Sequence, residues 1–438
     1  MTTEPHNTHS EVEQSPADDT SLGRALPPQP SRFDRRDILR AGGVVGATTL
    51  AGALVGGLTK YLPDTRSPEP PAQETARGNE LFGQETTPFF GVRQAGITTP
   101  AQTLVALIAF DVVPDLGKEG ARRMLSILTA DAARLTQGAP PLADTEPELA
   151  YAPAKLTVTV GVGPRFFDRA HIAHQRPSWL QDLPSYRIDR LEDRWNGGDL
   201  IVQICGDDEM SVAHTRRVVT RQIRRWATPR WVQRGFKSAR GSTPENQTMR
   251  NLMGQVDGTA NPQEAHHNDF VWCNAESGVW EHGTSMVVRR IAMNLDTWDE
   301  VDRVGREDVM GRRLDTGAPL TGTHEFDEPD FDAKTPLGFP VISSYSHVRR
   351  ARSENTQEQI FRRAYNYDDE PTDTQLSNSG LVFVSFQADI VRQYMPLQQR
   401  LADLDALNEW TTPIGSAVFA IFPGAGEGEY LGQRIIES

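Results

Sequence analysis

The chain has 438 residues, with 37% hydrophobic and 8% aromatic side chains, enough to bury a sizeable core and too many for a disordered chain. Its 59 acidic and 45 basic side chains give a formal charge of −14, which argues against a nucleic-acid binder, whose affinity rests on neutralising phosphates with Lys and Arg. Two cysteines, Cys205 and Cys273, sit outside any CxxC pair, so a disulfide framework and an all-cysteine zinc site are excluded too.

Residues 1–30 are polar and Pro-rich, with almost nothing to bury, and are expected to be disordered. Adjacent Arg35 and Arg36 follow, then Ile38-Leu39, then a mildly apolar stretch from Ala41 to Leu58. That layout reads as a twin-arginine export signal. A membrane anchor is the rival reading, but six glycines at 42, 43, 46, 52, 56 and 57 make a poor lipid-facing helix. No clean A-x-A site follows, so an uncleaved tether stays open. Export of a folded protein without a disulfide framework suggests a cofactor enzyme, secreted or associated with the cell envelope. Residues 1–62 are therefore assigned to this region and residues 63–80 to an extended Pro-rich linker.

The folded part is expected to begin near Leu81. Apolar runs at 104–112, 156–161 and 200–205 read as strands, the last opened by a Gly197-Gly198-Asp199 turn. Residues 117–135 have helical periodicity, with Ala121, Met124, Leu125, Leu128 and Leu135 on one side, and residues 211–226 form a second predicted helix. The second half repeats the scheme with strands at 287–295, 381–386 and 417–422 and a helix from Asp389 to about Leu404. No GxGxxG opens a βαβ unit, so the class is α+β, antiparallel sheets with helices packed on them. Two halves, 81–245 and 246–438, look like an ancient duplication.

The sharpest local string is Gly254-Gln-Val-Asp257-Gly258-Thr-Ala-Asn-Pro262. Taken alone, Asp-Gly is a turn. Ser346-His347-Val-Arg349 and Ile360-Phe-Arg362-Arg363 lie further on, and spacing alone gives them no common role. His266-His267-Asn268-Asp269 and the acidic run 324–332 read as solvated loops, the latter lacking the Gly and terminal Glu of an EF-hand. Cys273, His282 and Met286 are spaced too widely for a copper site. No GxSxG string or HExxH helix is present, which disfavours an exported hydrolase.

Together these strings resemble a known family, the dye-decolourising peroxidases, haem enzymes marked by a GxxDG motif. The resemblance extends through Gln94–Pro100, Leu156–Gly161, Gly197–Leu200, Asn251–Gly254, Val287–Ile291, Gly317–Leu320 and Asn408–Gly415. It is strongest to the secreted, twin-arginine subgroup that includes bacterial deferrochelatase-like peroxidases. The resemblance implies two ferredoxin-like halves with haem b in the second. It implies His347 as axial iron ligand and Asp257 with Arg362 as the distal pair that activates hydrogen peroxide. Arg363 is adjacent, and the resemblance favours the first arginine. Gly258, Thr259 and Ala260 are expected against the porphyrin, and Arg313, Arg349 and Arg352 are candidates for pairing its propionates. Because a metal-bound imidazole usually gives its other nitrogen to a carboxylate, Asp389 is the candidate partner of His347, with a helix-end role as the alternative.

The implied function is an exported haem peroxidase that oxidises one-electron donors such as dyes and phenolics. Iron release from haem (a deferrochelatase) and haem delivery are the alternatives. Expected partners are hydrogen peroxide, small reducing substrates and the twin-arginine translocase, with a homo-oligomer left open. Trp272, Trp280, Trp298, Tyr365 and Tyr367 read as core, and one or more of them as electron carriers from a surface-bound substrate.

Overall fold

The computed structural model describes residues 81–244, 247–371 and 375–438. The export signal and linker expected over residues 1–80, and Glu245 at the expected boundary between halves, lie outside the described residues. Within these limits the chain forms nine strands: β1 (Leu104–Val112), β2 (Thr157–Val162), β3 (Leu200–Gly206), β4 (Ala227–Phe236), β5 (Thr284–Met293), β6 (Phe361–Arg362), β7 (Tyr365–Asp369), β8 (Asn378–Gln387) and β9 (Thr411–Ile421). The longer helices are α1 (Gly117–Leu135), α2 (Glu209–Ile223), α3 (Arg303–Met310) and α5 (Met395–Leu404), with the five-residue α4 (His347–Ala351) between the last two.

All pairings are antiparallel. The first half orders its strands β2-β3-β1-β4, and the second orders them β7-β8-β5-β9 with β6 also on β8. In both halves the first and third strands are central and the second and fourth lie at the edges. That is the order of a ferredoxin-like β-α-β-β-α-β unit, and its recurrence is what a duplication predicts. The halves join through Gly161 and Val162 of β2 against β9, and through Phe236 against Asn366 of β7. Joining at both places closes the sheet into a barrel, so few strand edges are left open.

Alternation places the core. From β1, Val105, Leu107 and Ala109 point into the barrel with Trp231, Val288, Tyr365, Val384 and Phe419. Ala106, Ile108 and Phe110 point outward beneath Met124, Leu125 and Leu128 of α1 and Val218 of α2. Burial on both faces explains why β1 reads as an unbroken apolar run. A smaller cluster, Met253, Met293, Trp298, Ala364 and Leu381, underlies the Gly254–Asp257 segment. There Trp298 Nε1 donates to the Met253 carbonyl at 3.1 Å and the ring meets Trp410 edge-on at 5.1 Å, a geometry aromatic pairs favour.

The predicted strands are all present, shifted by a few residues at their ends, and α1 matches its predicted span. The helix expected over 211–226 runs from Glu209 to Ile223, because Asp208 caps it by accepting from Ser211 N. The helix expected from Asp389 divides into a π-helical turn at Ile390–Tyr394 and then α5. Pro396 has no N–H for the ladder. Strand β4 and the β6–β7 pair were not expected. Two insertions outside the ferredoxin-like scheme, residues 237–283 and 294–360, carry most of the chemistry-bearing side chains discussed below.

Candidate active site

The Asn251–Asp257 segment is a tight turn fixed from several sides. Asn251 Oδ1 accepts from Met253 N at 3.1 Å and Gln255 N at 3.2 Å, the local pattern that makes Asn a turn former. Arg250 donates to the carbonyls of Gly254, Leu314 and Asp315, and Asp257 N donates to Met249 O at 2.8 Å. Gly258 follows at φ +133, a conformation that favours glycine; a Cβ there would meet Thr248 Cγ2 at 3.3 Å. The result is one carboxylate held at the end of a rigid turn.

Arg362 reaches it from β6. Its guanidinium Nη1 lies 3.2 Å from Asp257 Oδ1. The Asn261 side chain grips the Arg362 backbone at both ends, donating to its carbonyl at 2.8 Å and accepting from its N–H at 2.9 Å. The same loop therefore presents the carboxylate and positions the strand that carries the guanidinium. Arg363 points the other way, into the protein. It is 2% exposed and donates to Ile97 O, Thr99 O, Pro100 O and Gln102 Oε1. Of the two adjacent arginines, only Arg362 meets Asp257.

His347 opens α4, directly after Ser346. Its Nδ1 lies 2.6 Å from Asp405 Oδ2, while Asp405 Oδ1 accepts from Leu407 N at 2.9 Å. Asp389, expected to partner His347, instead accepts from Val391 N and Arg392 N and closes the turn before α5. The correction has a physical reason: Ala406 N donates to Tyr345 O at 2.8 Å, which brings the end of α5 onto the histidine. Gly311, at φ +76 after α3, allows close packing on this turn, because a Cβ there would fall 2.5 Å from Val348 Cγ1. Burial works against the charged imidazolium, but the Asp405 carboxylate, by charge and hydrogen bond, holds its pKa above the ordinary value. The charges of Arg362 and Asp257 act on the same ring.

Haem fits this donor set. With Nδ1 held by Asp405, His347 keeps Nε2 without a partner among the described residues, the arrangement of an imidazole ready to bind a metal. Among the described residues no three His, Cys, Asp or Glu cluster to hold a metal ion, whereas haem iron needs one protein ligand. Cations for two propionates are at hand, although not all where expected. Arg313 is exposed; Arg312 is the one turned inward, donating to Gly317 O and Glu325 O. Burial and the nearby positive charges of Arg362 and Arg352 lower its pKa, partly offset by Glu325. Arg352 pairs with Glu328, and Arg349 donates to Phe331 O at 2.6 Å and lies over that ring. Thr259 donates to Glu325 at 2.9 Å and Ala260 is exposed.

A cavity of about 280 Å³ opens beside the pair, walled by Thr98–Ala101, Lys237, Thr248, Asp257, Gly258 and Phe361–Ala364 among others. The blander signals stay apart from it. His266 pairs with Asp269 at an exposed site; residues 324–332 form a loop in which Asp327 accepts from Thr323 N and His324 N. Burial pushes the Cys273 thiol up to about 12, and His282 is half-buried. All five singled-out aromatics are buried. Asp405, Asn261, Arg312 and Lys237 escaped sequence reasoning. Asp405 before Ala-Leu-Asn-Glu signals only a helix cap, and the other three carry no motif of their own. Replacing Asp405 with Asn should keep the shape but remove the charge behind His347. Outer partners of this kind are worth about 10–100-fold in metal affinity, measurable as faster haem transfer to apomyoglobin; an unchanged transfer rate would make Asp405 a bystander.

Residues 94–237 match the family model described as Dyp-type peroxidase, N-terminal, and residues 248–426 the one described as Dyp-type peroxidase, C-terminal. A dye-decolorizing peroxidase of Thermobifida fusca is 36% identical over 414 residues, covering 90% of this chain and 95% of that protein. A deferrochelatase of Yersinia pestis is 34% identical over 430 residues, covering 93% and 95%. The crystal structure of a DyP-type peroxidase from Cellulomonas bogoriensis superposes with a TM-score of 0.80 at 50% identity, covering 82% of this chain and all of that one.

Proposed function

The chain belongs to the Dyp-type peroxidases, haem-dependent oxidoreductases, and on that premise we propose an exported enzyme whose peroxide chemistry is run by Asp257, Arg362 and His347. Bound haem supplies the electrons that cleave the O–O bond and takes them back singly from reducing substrates. The protein's part is to hold the group and move protons. His347 would hold the haem iron through Nε2, while Asp405 fixes the imidazole's orientation and raises its basicity through Nδ1. Asp257 accepts the proton of the inner peroxide oxygen and returns it to the outer one, which leaves as water. Arg362 cannot lose its proton, so it presents a permanent charge where negative charge develops. Asn261 and the Asn251 turn keep both groups at their stations. Arg312, Arg349 and Arg352 are the candidates for the propionates, with Arg313 the outlying one.

The observation that carries this reading is the 3.2 Å contact between Asp257 and Arg362. A haem carrier has no use for a proton relay beside a fixed cation. The resemblance to deferrochelatases supports a second reading, release of iron with the tetrapyrrole intact. Product analysis separates them: haem-loaded protein given peroxide and a phenol should oxidise the phenol at catalytic turnover. Accumulation of fluorescent protoporphyrin instead, with no phenol oxidation, would favour iron release.

Export rests on the Arg35-Arg36 string. Changing both to Lys keeps the charge but removes the residues a twin-arginine receptor reads. The variant should stay in the cytoplasm, folded and haem-loaded, when cells are fractionated. Undiminished export would remove the twin-arginine reading.

A further inference from the structure

Lys237 follows β4 and lines the cavity beside Asp257 and Arg362. Its backbone is anchored by Lys237 N donating to Thr103 O at 2.8 Å. The side chain is half-buried, with Nζ 4.8 Å from the centre of the Tyr365 ring. Among the described residues that ammonium has no hydrogen bond and no carboxylate partner. A cation taken partly out of water normally has one, and a ring face is only a partial substitute.

The charge balance around the cavity points the same way. Three cations line it: Lys237, Arg362 and Arg363. One carboxylate, Asp257, lines it as well, and Arg362 already pairs with it. Arg363 is satisfied by neutral acceptors alone, three carbonyls and the Gln102 amide oxygen. Lys237 is therefore left without a counter-charge of its own beside a half-open cavity, in a protein whose net charge is −14. Burial, followed by the charge of Arg363, lowers the Lys237 ammonium to about 8, in keeping with a cation short of a counter-charge. Thr98, Thr99 and Thr248 add polar groups to the walls, while Pro100, Phe361 and Ala364 add apolar surface.

We propose that this cavity binds small aromatic carboxylates, with Lys237 as the docking cation for the carboxylate group and the apolar wall against the ring. Building on the peroxidase reading, the inference names a class of reducing substrate: phenolic acids, selected over neutral phenols of the same size. A volume of about 280 Å³ admits one such ring.

The test uses haem-loaded protein and benzoate, which carries the carboxylate without an oxidisable hydroxyl. Titration calorimetry should detect benzoate binding to the wild type. A hydrogen bond to a charged group corresponds to about 10–100-fold in affinity. Lys237→Met, of similar length and uncharged, should lose that factor, and Lys237→Arg should keep most of it. In turnover, Lys237→Met should raise the KM for 4-hydroxybenzoate relative to that for phenol at least several-fold. Benzoate binding equally well to wild type and Lys237→Met overturns the proposal, as does no binding to the wild type. Equal loss in Lys237→Met and Lys237→Arg also overturns it, since packing rather than charge would then be responsible. Failure to oxidise either phenol, with benzoate binding intact and Lys237-dependent, would count against the peroxidase reading and leave the anion site standing.

Discussion

Replacing His347 with Ala should cost the protein most of its haem. The imidazole is held for this role: Nδ1 is tied to Asp405 at 2.6 Å, and Nε2 has no partner among the described residues. Even the outer partner of a metal ligand is worth about 10–100-fold in affinity, so losing the ligand itself should lower retained haem at least tenfold after gel filtration. The fold should survive, because His347 belongs to none of the buried apolar clusters. Circular dichroism would therefore stay near wild type while the haem absorption falls. Added imidazole should restore part of that absorption by filling the space the side chain leaves. A variant that keeps the wild-type haem load and spectrum would eliminate His347 as the ligand.

The second large effect concerns the pair opposite. Arg362→Leu removes the fixed charge, and the loss of one such electrostatic donor costs about 10²–10³ in rate. Asp257→Asn preserves size but cannot accept a proton, and general acid–base assistance is worth roughly 10²–10⁴. Both variants should still bind haem, since neither residue reaches iron as a ligand in this reading. Removing Arg362 also leaves Asp257 without its cation, so the two losses should not add when combined. Stopped-flow mixing with peroxide reads each step as the rate of the peroxide-dependent spectral change. Wild-type rates in both variants would sink the distal assignment and return the haem-carrier reading to favour.

How much of this was legible in the sequence varied with the kind of signal. Strands β1, β2 and β3 are buried on both faces, and continuous apolar runs announce them. Strand β4 is not, because Arg230, Gln233 and Arg234 interrupt it; its signal was the alternation of Trp231, Gln233 and Gly235, all buried. Strand β7 was hidden similarly, as Tyr365 and Tyr367 read as isolated aromatics rather than as the inward face of a short strand. The Asp-Gly turn and the His-bearing segment stood out only as resemblances to a family. No periodicity joins residues 257, 347 and 362, which are brought together by insertions between strands. Asp405 was missed because its partner lies 58 residues away, whereas Asp389 looked suitable for its chemistry but is used locally by its own turn. The inward turn of Arg312 rather than Arg313 is set by the tight loop between α3 and Gly317, where a one-residue offset reverses the side chain's direction.

The most direct test of the account is the absorption spectrum of the purified, haem-loaded protein recorded before and within milliseconds after one equivalent of hydrogen peroxide. The account predicts a haem band that shifts rapidly on mixing and returns when a phenolic donor is added, with both changes dependent on Asp257 and Arg362. A protein that binds haem yet shows a spectrum unmoved by peroxide would contradict it.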